Sequence, residues 1–306
     1  MQVFYFFYLF TFLPFYFYLY LCTMTYRDFW NHLTTIYDEG EAKAVARMVY
    51  EVRFGLSWTD LCIGKDTQLS ADNQTELQEI LRRLLQKEPV QYVLGQADFC
   101  GRTFLVNEHV LIPRPETEEL IQWFLEVRSY LGESEEGHIL DIGTGSGCIA
   151  ITLAAMYPNA HVTAWDISPE ALDVAKVNAG RRHVSVTFQQ VDILAPSLPT
   201  PHSSLTTIIS NPPYIADHER ATMEANVLEY EPATALFVPD EDPLLFYRAI
   251  ATYGQTALQP GGWLYFEINP LYVNELCELL RVMRFHRIET KEDQFGKQRF
   301  IRAQRS

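Results

Sequence analysis

The chain has 306 residues, 48% of them hydrophobic, so it is long enough for one large or two smaller domains with a well-buried core. Its formal net charge is -15, and a surface this acidic repels phosphate backbones, which argues against broad, nonspecific binding of nucleic acids. The five cysteines are scattered, without a CxxC pair or a Cys/His cluster, so neither a disulfide framework nor a zinc site is indicated. We expect a cytoplasmic protein with reduced thiols and no metal.

Residues 1–23 differ from the rest of the chain. The stretch from Val3 to Cys22 contains no charged residue and is rich in Phe, Tyr and Leu, and it is long enough to span a membrane. Pro14, five tyrosines and the lack of a preceding Lys or Arg argue against a membrane span or a signal peptide. We expect an apolar extension upstream of a working start at Met24. The alternative is a membrane anchor, and only then would the protein contact a membrane.

Residues 24–88 are expected to form a small helical domain, because apolar residues recur there at helical spacing. Its clearest helix runs from about 70 to 86, and Gly55 is a candidate C-cap of an earlier helix. We interpret this domain as one that docks a substrate. Residues 89–115 follow as a β-hairpin connector. Its predicted extended stretches are 91–94, 97–99 and 103–106.

The remainder of the chain, residues 116–306, is predicted to be an α/β domain. A helix opens at the acidic residues after Pro115, and strands and helices alternate from His138 onward. This alternation indicates a mostly parallel, Rossmann-like sheet with helices on both faces. A final pair of strands, near 285–289 and 299–301, is expected to form an antiparallel hairpin.

The first strand of this domain ends in a glycine-rich loop, Asp141-Ile142-Gly143-Thr144-Gly145-Ser146-Gly147. Open α/β sheets bind ligands at the carboxyl ends of their strands, and glycines allow a ligand to approach the backbone closely. The spacing differs from the dinucleotide fingerprint and lacks the Gly-Lys-Ser/Thr ending of the P-loop. We therefore do not expect this loop to cradle a phosphate.

Two acidic residues follow at the ends of the next two strands. Asp166 ends the second strand, where a carboxylate can accept both ribose hydroxyls of a nucleoside, and Asp192 follows the third strand, where it can reach an adenine edge. Each could by itself be a helix cap or a solvated loop carboxylate. Together with the glycine loop they resemble the cofactor site of class I methyltransferases, which implies S-adenosyl-L-methionine as the cofactor.

The segment Asn211-Pro212-Pro213-Tyr214 comes directly after the fourth strand and, taken alone, predicts a rigid turn. Beside the glycine loop, the Asn211 side-chain oxygen and the Pro212 carbonyl can accept both N–H donors of a planar amide or amino nitrogen, and Tyr214 can pack on the flat group. This orients a poor nucleophile toward a methyl donor and requires no strong general base. We therefore predict that Asn211, Pro212 and Tyr214 are catalytic and that all four residues bind substrate.

Beyond these motifs, the chain resembles the HemK/PrmC family of peptide chain release factor N5-glutamine methyltransferases over about residues 25–303. The most specific segment is Ile112-Pro113-Arg114-Pro115-Glu116-Thr117-Glu118. Other shared segments are 89–95, 231–236, 258–262 and Glu267. The resemblance implies a class I methyltransferase fold and methylation of the glutamine in the Gly-Gly-Gln motif of class I release factors. The cofactor residues it implies, with the positions beside the adenine included, are Gly143, Thr144, Gly145, Ser146, Gly147, Asp166, Asp192, Ile193 and Asn211.

Two positions depart from the family pattern. An aromatic residue commonly follows the acidic residue of the third strand, where this chain has Ile193, and the late strand is usually followed by Glu-Ile-Gly, where this chain has Glu267-Ile268-Asn269.

Two alternatives to a release factor methyltransferase remain. One is a nucleic-acid amino-methyltransferase that acts on adenine N6 or a similar group, against which the net charge of -15 argues. The other is a noncatalytic binding protein on the same fold.

Overall fold

The computed structural model describes residues 23–131, 136–200 and 205–306, and the chain divides into two compact units, Met1–Leu94 and Gly95–Ser306. The predicted apolar extension lies outside the described residues except for its last position. No helix in the described ranges is both long enough and apolar enough to cross a membrane.

The first unit contains five α-helices in its described part. They are α1 (Tyr26–Leu33), α2 (Glu39–Phe54), α3 (Trp58–Cys62), α4 (Ala71–Leu85) and α5 (Val90–Leu94). The α2 helix ends at Gly55 in the left-handed conformation, with φ 67°, as predicted. Phe29, Tyr50 and Leu77, from three different helices, are fully buried in a common apolar core. The expectation of a helical N-terminal region is therefore confirmed.

Residues 91–94, which we expected to be extended, lie in α5 instead. The Pro89 carbonyl oxygen accepts a hydrogen bond from the Val93 N–H at 3.0 Å and so begins this helix. The fixed φ of proline suits the first turn of a helix. This preference decides the conformation here, although the short segment before Gly95 was expected to be a strand. The hairpin that follows consists of β1 (Gln96–Phe99) and β2 (Arg102–Leu105).

The second unit is an α/β fold. Its further helices in the described ranges are α6 (Pro115–Leu131), α7 (Cys148–Met156), α8 (Pro169–Arg182), α9 (Ala225–Tyr230), α10 (Ala233–Leu236), α11 (Leu245–Ala257) and α12 (Val273–Val282). Its further strands are β3 (Gly137–Ile142), β4 (Ala160–Asp166), β5 (Thr187–Gln190), β6 (Leu205–Ser210), β7 (Ile215–Ala216), β8 (Phe237–Val238), β9 (Leu258–Glu267), β10 (Phe285–Glu292) and β11 (Gln298–Arg305).

Seven of these strands form one sheet in the order β10-β11-β9-β6-β3-β4-β5. The strands from β9 to β5 in this order are parallel, while β11 runs antiparallel to both β9 and β10, which confirms the predicted final hairpin. One face buries an apolar layer that includes Phe124 and Ile149, and the other buries a layer that includes Ile250 and Leu280. The expected parallel sheet with helices on both faces is confirmed, and its carboxyl edge places the predicted motifs side by side.

Asp141 lies near the end of the central strand β3 and is fully buried. Its Oδ2 accepts hydrogen bonds from Thr144 Oγ1 at 2.6 Å and from the Ala150 N–H at 3.2 Å. Its Oδ1 has no hydrogen-bond partner among the described residues. Burial raises the pKa of Asp141 to about 7, and the two hydrogen bonds oppose this rise only in part. The carboxyl group therefore destabilises the fold when it is ionised.

Asp141→Asn keeps the size of the side chain and removes its charge. Because the folded-state pKa of about 7 exceeds the reference value of 3.8, the stabilisation from protonated Asp141 is complete below about pH 4 and is lost as the pH rises to about 7. We expect the free energy of unfolding of the wild type to fall relative to that of the variant by up to about 4 kcal/mol between these two pH values. Above about pH 7, the difference between the two proteins should stay constant. Urea unfolding at several pH values measures this difference, and a difference independent of pH would contradict the assignment.

Candidate active site

The glycine loop turns between β3 and α7, and Gly143, Gly145 and Gly147 there have φ of 75°, 52° and 81°. A β-carbon on Gly145 would meet no atom within 4 Å, so the backbone at this position is open to a ligand. A β-carbon on Gly147 would lie 2.7 Å from Ile151 Cδ1 and 3.1 Å from Ala175 Cβ. Gly145 therefore provides access, whereas Gly147 allows close packing of the loop against two helices.

Buried Asn178 of α8 holds the glycine loop in place. Its Nδ2 donates hydrogen bonds to the carbonyl oxygens of Ser146 at 2.9 Å and Leu105 at 3.0 Å, and its Oδ1 accepts from the Leu105 N–H at 2.7 Å. One side chain thus satisfies three backbone groups and ties the loop to strand β2. The sequence contained no local signal for this residue, because its partners lie far away along the chain.

A cleft of about 340 Å³ opens beside the glycine loop. The predicted site residues that line it are Gly143, Gly145, Asp166, Asp192, Ile193, Asn211, Pro212 and Pro213. Residues that the sequence analysis did not single out also line it, including His109, Val110, Leu111, Ile167, Phe246 and Ile250. The fold therefore brings the carboxyl ends of β3, β4, β5 and β6 to one cleft, where a ligand would touch all of them. Within the described ranges, no group of three or more His, Cys, Asp or Glu is arranged to hold a metal ion.

Four predicted site residues, Thr144, Ser146, Gly147 and Tyr214, do not line this cleft. Thr144 and Ser146 are buried. The Thr144 hydroxyl donates to Asp141, and the Ser146 carbonyl accepts from Asn178. These residues shape the loop, and a direct contact between them and a cofactor stays a prediction.

Asp166, at the end of β4, supports the glycine loop with its carboxylate. Its Oδ2 accepts from the Gly145 N–H at 2.8 Å, and its Oδ1 accepts from the Ser168 N–H at 3.0 Å. Burial raises the pKa of Asp166, and these hydrogen bonds oppose the rise. The N-cap of α8 is Ser168, whose hydroxyl accepts from the Ala171 N–H at 3.0 Å. Asp166 is therefore not the helix cap, and the residue lines the cleft.

A chain of hydrogen bonds lies behind the Asn211–Tyr214 segment. Asn211 Nδ2 donates to Thr117 Oγ1 at 3.1 Å, and Thr117 Oγ1 donates to Glu267 Oε2 at 2.6 Å. The Tyr214 hydroxyl donates to Glu267 Oε1 at 3.0 Å. Burial raises the pKa of both Glu267 and Tyr214. The Tyr214 hydroxyl is thus engaged inside the protein, and its predicted packing on a substrate stays a prediction.

Asn269, which stands where the resembling family usually has glycine, fastens the same segment from its other side. Its Nδ2 donates to the Tyr214 carbonyl at 3.1 Å and to Glu219 Oε1 at 2.8 Å, and its Oδ1 accepts from the Leu271 N–H at 3.0 Å. This departure therefore adds hydrogen bonds and removes none of the groups that line the cleft.

The segment 112–118 also contacts a residue that neighbours the cleft. Buried Glu231 accepts hydrogen bonds from the Ile112 N–H at 3.2 Å and from the guanidinium of Arg114. Glu231 directly precedes Pro232, which lines the cleft. The segment most specific to the resemblance therefore contacts Asn211, which lines the cleft, and Glu231, which precedes a residue that lines it.

Known proteins match this chain along most of its length. The family model for the methyltransferase small domain matches residues 124–234, and the model for the PrmC N-terminal domain matches residues 31–95. A release factor glutamine methyltransferase from Bacteroides thetaiotaomicron is 45% identical over 273 residues, which cover 89% of this chain and 96% of the relative. A second one, from Flavobacterium psychrophilum, is 41% identical and covers 90% and 96%.

A solved structure shares the fold at low sequence identity. The hMettl16 catalytic domain in complex with a MAT2A 3'UTR hairpin is 17% identical, with a TM-score of 0.52, and the match covers 86% of this chain and 80% of that one. This likeness shows a methyltransferase fold, while the close relatives show the family by sequence across both units. The chain therefore belongs to the family of release factor glutamine methyltransferases.

Proposed function

We propose that this protein transfers a methyl group from S-adenosyl-L-methionine to the side-chain amide nitrogen of the glutamine in the Gly-Gly-Gln motif of class I peptide chain release factors. The observation that carries the proposal is that Asn211 and Pro212 line the same cleft as Gly145 and Asp166. Residues that carry acceptors for a planar nitrogen and residues suited to a nucleoside therefore line one cleft.

The cleft suits S-adenosyl-L-methionine, which supplies an electrophilic methyl group on its sulfonium. Gly145 leaves room for close approach to the backbone, and the Asp166 carboxylate can accept from ribose hydroxyls. Asp192 and Ile193 line the cleft after β5, where an adenine would lie. Ile193 would pack on the adenine as an aliphatic side chain in place of the family's common aromatic one.

Asn211 and Pro212 would orient the glutamine amide. The Asn211 Oδ1 and the Pro212 carbonyl would accept its two N–H groups, so that the nitrogen lone pair points toward the methyl donor. Pro212 is buried, and the two consecutive prolines stiffen the backbone that carries the second acceptor. As the new C–N bond forms, conjugation of the nitrogen is lost and its proton becomes acidic. The proton then leaves to solvent, and no strong base is required.

The relatives support glutamine over a nucleic-acid base as the substrate, since two aligned along nearly their whole length are named release factor glutamine methyltransferases. The net charge of -15 opposes close approach of a polyanion, so the adenine alternative is not favoured. The partner we propose is accordingly a class I release factor, with no direct contact to nucleic acid and no metal. Because release factors act in translation, we place the reaction in the cytoplasm.

Asp166→Ala should weaken binding of S-adenosyl-L-methionine by about 1.5–3 kcal/mol, the usual worth of hydrogen bonds to a charged group. Asp166→Asn, which keeps an acceptor for only one of the two backbone N–H groups, should give part of this loss. Asp173→Ala is the matched control, because it removes an exposed carboxylate from α8 outside the cleft. Isothermal titration calorimetry measures all three affinities. An unchanged affinity in Asp166→Ala would remove this residue from the cofactor site.

An intact class I release factor should be a far better substrate than a short Gly-Gly-Gln peptide, because contacts remote from the reacting nitrogen help to position it. Adenine-containing DNA should be methylated least. Transfer of labelled methyl groups to the three substrates under one condition gives kcat/KM for each. Comparable values for peptide and intact factor would exclude remote docking, and a preference for DNA would overturn the proposed function.

In the same assay, Asn211→Ala should lower turnover by roughly 10²–10³-fold, since it deletes an acceptor oriented toward the reacting group. Asn274→Ala is the control, because it makes the same substitution at an exposed position of α12 outside the cleft. Circular dichroism should show both variants folded. Wild-type turnover in Asn211→Ala would show that the methyl acceptor is held elsewhere.

A further inference from the structure

The buried carboxylate of Glu267 is the end point of the hydrogen bonds behind the substrate segment. Glu267 is 1% exposed and Thr117 is 3% exposed, so water does not compete for their hydrogen bonds. Both carboxylate oxygens are occupied, Oε2 by the Thr117 hydroxyl and Oε1 by the Tyr214 hydroxyl. An ionised carboxylate only accepts hydrogen bonds, so both hydroxyl protons point toward it.

This arrangement decides which way the Thr117 hydroxyl can act on Asn211. A threonine hydroxyl has one proton, and hydrogen bonds to a charged acceptor are stronger than those to a neutral one. The short distance of 2.6 Å to Glu267 is consistent with the proton lying there. Thr117 Oγ1 can then offer Asn211 only a lone pair, so the group that faces it at 3.1 Å must be the NH₂ of Asn211.

We propose, on the basis of the proposed function, that Thr117 and Glu267 are positioning residues that set the direction of the Asn211 side-chain amide. With its NH₂ held by Thr117, Asn211 keeps Oδ1 for the substrate, and this oxygen has no hydrogen-bond partner among the described residues. A reversed amide would present N–H donors to the N–H donors of glutamine. The relay therefore selects a substrate atom that carries hydrogens and rejects a carbonyl oxygen at the same place.

Hydrogen bonds and packing support the relay. Burial raises the pKa of Glu267, and the hydrogen bonds from Thr117 and Tyr214 and the positive charge of Arg299 oppose this rise only in part. Thr117 belongs to the same 112–118 segment whose Arg114 pairs with Glu231, so its backbone is anchored independently of Asn211. The relay thus gives a physical reason for a threonine in the segment most specific to the family resemblance.

The test compares Thr117→Val, which keeps the shape and loses the hydroxyl, with Thr117→Ser, which keeps the hydroxyl. We expect kcat on a release factor to fall about tenfold in Thr117→Val, the worth of roughly one net hydrogen bond, and to stay within about twofold in Thr117→Ser. Cofactor affinity should be the same in both. Equal turnover of Thr117→Val and wild type would overturn the relay and leave the proposed function standing.

A second background separates amide direction from general stability. The carboxylate of Asn211→Asp has two equivalent oxygens, so it presents an oxygen to the substrate in either orientation. Adding Thr117→Val to this variant should therefore lower kcat by less than about twofold, or even raise it. A purely structural role of Thr117 would give the same fold loss in both backgrounds, and that result would overturn the proposal.

Glu267→Gln tests the end of the relay. Its new NH₂ must face either Thr117, whose proton then turns toward Asn211, or Tyr214, which then loses its acceptor. We expect kcat to fall about tenfold or more, with the melting temperature unchanged or raised because a buried charge is removed. Wild-type kcat in this variant would overturn the positioning role assigned to the charge of Glu267, whereas the role of Thr117 is decided by the Thr117→Val comparison. Failure of the wild type itself to methylate a release factor would instead overturn the proposed function and, with it, the basis of the relay.

Discussion

The buried Glu267 carboxylate forms hydrogen bonds with two parts of the chain that are distant from it in sequence. Its partners, Thr117 and Tyr214, are 150 and 53 residues away, and Thr117 connects it to Asn211. A buried charge is costly unless hydrogen bonds satisfy it. Because Glu267 is buried at the end of β9, its burial is favourable only when Thr117 and Tyr214 lie beside it. The candidate active site is therefore complete only in the fully folded second unit.

The other half of the site depends on the parallel sheet. The glycine loop, Asp166 and Asp192 each follow a strand, and parallel neighbours place all three at one edge. Asn178 and Asp166 then hold the loop through backbone groups, which leaves the open side of Gly145 toward the cleft. Cofactor and substrate groups converge because one sheet edge carries both, without a metal or a strong base in the proposed chemistry.

Much of this could be predicted from the sequence, because the signals were local. The final antiparallel hairpin forms where it was predicted, and the residues assigned to cofactor contact at strand ends mostly line the cleft. The prediction of an extended conformation for residues 91–94 was wrong, because a five-residue helix is too short to show the helical period of apolar residues. Thr117 and Asn178 could not be assigned a role, since their partners are distant in sequence and leave no local pattern.

The most direct test of the proposed function is tandem mass spectrometry of an unmethylated class I release factor after incubation with this protein and S-adenosyl-L-methionine. We expect a single methyl group on the side-chain amide of the glutamine in the Gly-Gly-Gln motif, and none when the cofactor is omitted. The proposed function would be contradicted if the glutamine stayed unmodified although the protein binds S-adenosyl-L-methionine. Methylation of nucleic-acid amino groups instead of the glutamine would contradict it as well.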